Sequence, residues 1–328
     1  MNGEWEVVNG RPKLHVTIQH SPTAIHSSPL RTWLQLLRAP NLFTVPGDPL
    51  AGYLLACYGT VEPVFALPIF ASLFFYSSGL LLNDLADLTE DRAERPARPL
   101  PSGAASRSAV FAVMLALAAC GLVLCRLAGA WPLAVGAVLL IAIASYNLGL
   151  KRVPVIGAVN MGLCRGLSLL LGATAVSHGD LTLRLMLRGR LDHVVVAFLL
   201  VTLFTAAVTN LARFETKSAV PGFAKWLPAA AIAGGAVSFV PVVNGPNRQS
   251  TIALFALAFL LSAQVAWRLT RDPRQPVPPM IGTLIRLLII LQAAFCAAAG
   301  DVIGAFFAAM LIVLWPISRA VGKQFYAS

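Results

Sequence analysis

Long apolar segments recur along this chain, each closed by a short polar break. The pattern predicts helices crossing a membrane near residues 41–59, 64–82, 108–128, 131–149, 155–177, 192–211, 225–243, 250–268, 281–298 and 301–318. A backbone inside hydrocarbon must satisfy its own hydrogen bonds, so the spans are expected to be α-helical throughout. The last two are separated only by Gly300-Asp301, which leaves the count at nine or ten. The first contains Pro46, Asp48 and Pro49 and is expected to be kinked or partly unwound. Residues 1–30 are polar and turn-rich. They lack the charged start, apolar core and cleavage site of a signal peptide, and read as a flexible cytoplasmic tail ahead of a single transmembrane domain, residues 31–328.

Composition sharpens this picture. The chain is 57% hydrophobic and 12% charged, with mean hydropathy +0.75, against about 25% charged residues in soluble domains. A net charge of +11 would suggest nucleic acid in a soluble protein. Here no nucleic-acid-binding motif is present, and the cations sit in short loops, so the expected partner is the lipid bilayer and not nucleic acid. Arg31, Arg38, Arg92, Arg95, Arg98 and Arg107 fall on one side. They are joined there by Lys151, Arg152, Arg213, Lys217, Arg268 and Arg271. That side is read as cytoplasmic, together with the N-terminus, in a bacterial-type inner membrane. The loop 178–193 carries Arg184, Arg188 and Arg190 on the opposite side and is read as an amphipathic interfacial segment. Cys57, Cys120, Cys125, Cys164 and Cys296 all lie in apolar runs without metal-type spacing and read as packing residues.

The chemistry gathers on the cation-rich side. Asn83-Asp84-Leu85-Ala86-Asp87-Leu88-Thr89-Glu90-Asp91 follows an apolar run. Asp84, Asp87 and Asp91 are spaced three and four apart, so an uninterrupted helix would put them on one face. Crowded carboxylates need a counter-charge. Hard oxygen ligands suit Mg²⁺, and Mg²⁺ suits a diphosphate. The competing reading is plain pairing with Arg92, Arg95 and Arg98. Farther on, Tyr146-Asn147-Leu148-Gly149-Leu150-Lys151-Arg152 places a phenol one turn from two cations, which can bind a phosphate or simply anchor a helix end. Arg165 lies inside a span, where a charge faces a cavity or a partner. It can contact an anionic ligand or pair with a carboxylate such as Asp48.

Asn83-Asp84-x-x-Asp87-x-x-x-Asp91, the tail Arg98-Pro99-Leu100-Pro101-Ser102-Gly103, and Tyr146-x-x-x-x-Lys151-Arg152 resemble the UbiA superfamily of intramembrane prenyltransferases. The resemblance runs from about Leu37 to the C-terminus and is closest to a divergent branch, the EboC-like proteins. It implies an all-α bundle of nine or ten helices around a central cavity, holding Mg²⁺ and a prenyl diphosphate between two aspartate-rich motifs. By the same resemblance Asn83, Asp84, Asp87 and Asp91 are metal ligands. Arg98, Lys151 and Arg152 bind the diphosphate. Asp84, Asp87, Tyr146 and Lys151 take part in ionising the allylic C–O bond and shielding the cation, ahead of transfer to a hydrophobic or aromatic acceptor.

The second motif departs from the pattern. Asn210, Arg213 and Lys217 occupy the positions matching Asp84, Asp87 and Asp91. Such a face does not hold a second Mg²⁺ in the expected way. Either Arg213 and Lys217 act as fixed cations on the diphosphate, with Asn210 beside them, or the cavity serves a non-catalytic binder or transporter of a lipid-like metabolite.

Overall fold

A computed structural model describes residues 3–8, 11–16, 29–57, 61–176, 191–215, 220–243, 245–272 and 275–324. The interfacial reading of residues 178–193 falls mainly outside them, as does Lys217. Within the segment read as a tail, β1 (Gly3–Val8) and β2 (Arg11–Val16) pair as an antiparallel hairpin in which Gly3 faces Val16. The remaining elements of the described chain are all helices.

Nine helices among the described residues are long and apolar enough to cross a membrane. They are built on α4 (Ala66–Ala86, preceded by a 3-10 turn), α6 (Arg107–Ala128), α7 (Ala130–Leu148), α8 (Ile156–Thr174) and α9 (Leu191–Ala212). The remaining four are α10 (Gly222–Phe239), α11 (Arg248–Arg271), α12 (Val277–Ala298) and α13 (Val302–Gln324). The residues 281–298 and 301–318 therefore belong to two separate helices.

The segment 41–59 is not one of the nine. After α1 (Pro29–Leu36), α2 (Ala39–Leu42) ends just inside the segment and α3 (Gly47–Ala56) fills its middle, followed by extended chain at Cys57. Pro46 caps α3 and removes an amide donor at the break. All ten residues of α3 are buried, so this short piece is enclosed by the long helices.

Burial grades the helices. Every residue of α12 from Leu287 to Ala298 is buried, the signature of a central helix that is apolar all round. Helices α6 and α7 bury only about a fifth of their spans and leave Phe111, Val123, Trp131 and Ile141 exposed, as a lipid-facing layer does. Small residues set the closest approaches. A Cβ at Gly52 of α3 would collide with the Leu169 carbonyl of α8, and one at Gly172 of α8 with the Pro49 carbonyl of α3. All five cysteines are free; four are wholly or partly buried and Cys120 is exposed on α6.

Candidate functional site

The acidic motif does not lie on one uninterrupted helix. Asn83 and Asp84 sit in the last turn of α4, Asp87 caps that helix with φ −92° and ψ 4°, and Asp91 belongs to α5 (Leu88–Glu94). The break sends the carboxylates to different partners. Asp91, 5% exposed, takes two hydrogen bonds from Arg98 Nη1, at 2.9 and 2.7 Å. Asp84 Oδ1 faces Arg38 Nη2 at 3.3 Å. Lys151 Nζ donates to both Asp87 Oδ1, at 2.5 Å, and Asn83 Oδ1, at 3.2 Å. Accordingly, no group of three or more Asp, Glu, His or Cys positioned to hold a metal occurs among the described residues.

Lys151 reaches this point through unusual backbone. After α7 the chain passes through Gly149, a 3-10 turn over Leu150–Arg152, and then Val155 at φ 65° and ψ −54°. Ile156 N–H bonds Pro154 O at 2.7 Å, so Val155 is the centre of a γ-turn with positive φ, a costly conformation for a β-branched residue. Only one other non-glycine residue among those described has positive φ: Arg38, at 45°. Both strained positions present cations to the acidic motif, and strain of this kind persists where the surrounding structure holds it.

Above the charged cluster lies a cavity of about 180 Å³. Asn83, Tyr146 and Asn147 stand at one end. Ser72, Phe75, Leu139 and Ser168 stand at the other, about 16 Å away at the helical rise along α4. The Ser72 and Ser168 hydroxyls bond each other at 2.5 Å. A second cavity, of about 330 Å³, shares Arg38, Tyr76, Tyr146 and Arg165 with the first and extends to α9 and α12.

The remaining candidates divide. Arg165 realises the internal pairing: its Nε lies 2.8 Å from Asp48 Oδ2, and Nη2 donates to Thr44 O, while the side chain also borders both cavities. Gln292 of α12 bonds the same Thr44 O and Asp48 Oδ1, at 2.8 and 2.7 Å. Arg152 is exposed and Arg98 is engaged by Asp91. Asn210 is in the last turn of α9 and Arg213 just beyond it. Neither lines either of these two cavities, although Thr209 and Ala212 beside them line the second. Glu215 interacts electrostatically with Arg95, so the end of α9 faces the loop after α5.

Arg38 escaped the sequence reading as a site residue. By sequence it reads as one more cytoplasmic cation. Its place directly before Ala39-Pro40, ahead of the first predicted span, is the signal that could have singled it out.

The oxygens of Asn83 and Asp87 already converge on one positive charge, the Lys151 ammonium, and Asp84 is held by a second cation. Hard oxygen donors of this kind suit one Mg²⁺ in type, although Arg38 holds Asp84 apart from the Asn83–Asp87 pair. The Asn210–Arg213 end offers an amide and a cation and does not fit another.

A profile of the UbiA prenyltransferase family matches residues 49–275, more than half of the chain. The chain belongs to the UbiA prenyltransferase family. Among curated relatives, it is 26% identical over 146 residues to digeranylgeranylglyceryl phosphate synthase of Sulfolobus acidocaldarius, covering 44% of this chain and 53% of that protein. It is 31% identical over 149 residues to the synthase of the same name from Thermococcus kodakarensis, covering 45% and 54%. The matched region thus spans about half the length of these relatives. Among solved structures, the fold is similar to a UbiA homolog from Aeropyrum pernix K1, with TM-score 0.62, 20% identity, and 79% and 97% of the two chains covered. It is also similar to a UbiA homolog from Archaeoglobus fulgidus bound to DMAPP and Mg²⁺, with TM-score 0.60, 14% identity, and 82% and 99% covered.

Proposed function

We propose that this protein is an intramembrane prenyltransferase whose single acidic motif binds a prenyl diphosphate with Mg²⁺. The observation that carries this reading is the cluster of Asn83, Asp84, Asp87, Lys151 and Arg38 at the mouth of a narrow, largely apolar cavity. Charged groups at one end and hydrocarbon walls beyond match a ligand with a diphosphate head and a prenyl tail. Family membership and the Mg²⁺ and prenyl diphosphate bound in the Archaeoglobus homolog support it. The orientation that agrees places this mouth on the cytoplasmic side.

Asn83, Asp84 and Asp87 would hold the Mg²⁺, which supplies neutralising charge to the leaving diphosphate. Lys151 and Arg38 would move from their carboxylates to the phosphate oxygens. The allylic C–O bond then breaks with its electron pair on the diphosphate. Tyr146, on the wall common to both cavities, presents its π face to the allylic carbon, and Phe75 and Leu139 keep water from the tail. Asp91 and Arg98 brace α5 against the loop after it.

A second reading, a non-catalytic carrier of a lipid-like metabolite, is favoured by one observation: Asn210 and Arg213 replace the carboxylates of a second motif. Incubating the purified protein with labelled prenyl diphosphates and Mg²⁺ separates the two. Diphosphate release that disappears in Asp84→Asn is the expected result. Binding without release across the whole panel would establish the carrier.

A further inference from the structure

The cations of the acidic motif each face a carboxylate. Two arginines elsewhere face each other instead. Arg286 of α12 is half-buried, and the charge that acts on it is the guanidinium of Arg319, an exposed residue of α13. Among the described residues, neither forms an ion pair with a carboxylate. Helices α12 and α13 pack along each other and are joined by the short turn 299–301. Arg286 lies about 14 Å from the start of α12, and Arg319 lies in the last turn of a span ending at Val321. The Arg286 guanidinium lies back over the preceding turn. Its Nη2 is 3.5 Å from Thr283 Oγ1, and a Cβ on Gly282 would come to 3.5 Å from its Nη1. That contact occupies one of five N–H donors. Arg286 borders neither cavity. The α12 residues that do, Ile281, Ile285 and Leu288, lie on another face of the helix. Like charges held together at the edge of hydrocarbon repel, and an anion accepting from both relieves the repulsion.

We infer that Arg286 and Arg319 form a site for the phosphate of an anionic membrane lipid, set in the seam between α12 and α13 and outside both cavities. Arginine suits a phosphate because its planar fork donates twice, and paired cations between membrane helices suit a lipid headgroup. The surface of α13 favours a lipid over a soluble anion. Ile303, Phe306, Met310, Val313 and Ile317 are all exposed at spacings of three and four, so one face of the helix is apolar. This face runs for about 21 Å, long enough for an acyl chain to lie along the helix while its headgroup reaches the seam. A bound headgroup clamps α13 to α12. Ser318, next to Arg319, already donates to Pro40 O at 3.2 Å, so the clamp extends to α2. The site does not depend on the transferase reading.

The test is a lipid titration of the purified full chain in a neutral detergent, read by native mass spectrometry. The probes are dioleoyl phosphatidylglycerol and dioleoyl phosphatidylcholine. Wild type is expected to bind its first phosphatidylglycerol about fivefold or more tightly than its first phosphatidylcholine, in line with one charge-assisted contact at a partly exposed site. Arg286→Gln and Arg319→Gln should each remove most of that preference. Arg268→Gln, which deletes an exposed cation at the end of α11, should keep it. Thermal unfolding gives a second readout. Phosphatidylglycerol should raise the Tm of wild type and not that of the two variants. Without lipid, Arg319→Gln should melt at or above wild type, because a like-charge contact has been removed. Arg319 is exposed, so this variant carries the test if Arg286→Gln does not fold. Wild type without a preference, a preference that survives Arg319→Gln, or an equal loss in Arg268→Gln overturns the site. Inorganic phosphate raising Tm through Arg319 with no preference among lipids would overturn the lipid assignment in favour of a soluble anion.

Discussion

At the scale of single residues, the site is held by strained backbone and paired charge. Val155 is the clearer case of strain. Its positive-φ turn positions the Lys151 segment, at a cost of about 1–3 kcal/mol. Val155→Gly removes that cost and adds about 0.5–1 kcal/mol of unfolded-chain freedom. A net gain of about 1 kcal/mol in thermal unfolding is expected, together with slower turnover because Lys151 is less firmly placed. Arg165 and Asp48 are the clearer case of charge. Both are buried within the bundle, and removing one partner of such a pair costs about 3–5 kcal/mol. Arg165→Met should therefore lower Tm strongly. Adding Asp48→Asn should recover most of the loss, since an amide oxygen can still accept from Gln292 without an uncompensated charge. If the double variant melted no higher than the single one, the role given to this pair would be wrong. The sequence offered Asp48 as one of two possible partners for Arg165. It could not choose, because the choice depends on where the α2–α3 break places Thr44 O.

At the scale of elements, the long helices were legible because an apolar run of about twenty residues has few alternatives. The interrupted first span was legible as a disturbance, from Pro46 and Pro49, but not as the end of one short helix followed by another. The break at Asp87 was not legible at all. Helical spacing of Asp84, Asp87 and Asp91 implied one shared face, whereas the turn into α5 carries Asp91 away to Arg98. Local spacing reports a face only while the helix continues. The same elements make a packing prediction. Gly172 has no room for a side chain against the Pro49 carbonyl, while Gly234 on α10 has open space. Gly172→Val should lower stability by about 1–3 kcal/mol through overpacking of α3 on α8. Gly234→Ala should raise it by about 0.5–1 kcal/mol through helix propensity. Thermal unfolding of the two variants side by side checks the contrast.

At the scale of the whole molecule, the question is which side of the cavity mouth grips the diphosphate. From sequence alone, Arg213 and Lys217 were candidates beside Arg98, Lys151 and Arg152, because they stand where a second acidic motif would bind metal. The folded chain keeps Lys151 and adds Arg38. Arg38 and Lys151 come from two different breaks in the helical pattern, border or contact the acidic motif, and lie within reach of the same cavity. Arg213 lines neither cavity. A charge-assisted contact is worth about 1.5–3 kcal/mol, or roughly one to two orders of magnitude in affinity. Arg38→Met and Lys151→Met should therefore each weaken Mg²⁺-dependent binding of a non-hydrolysable prenyl diphosphate analogue by more than about tenfold. Arg213→Met, removing a charge beyond the helix end and screened by water, should change it by less than about threefold. Calorimetry on the three variants in nanodiscs decides the matter. A large loss in Arg213→Met with small losses in the other two would return the diphosphate to the second motif, and would mean that Arg38 and Lys151 serve only to neutralise Asp84 and Asp87.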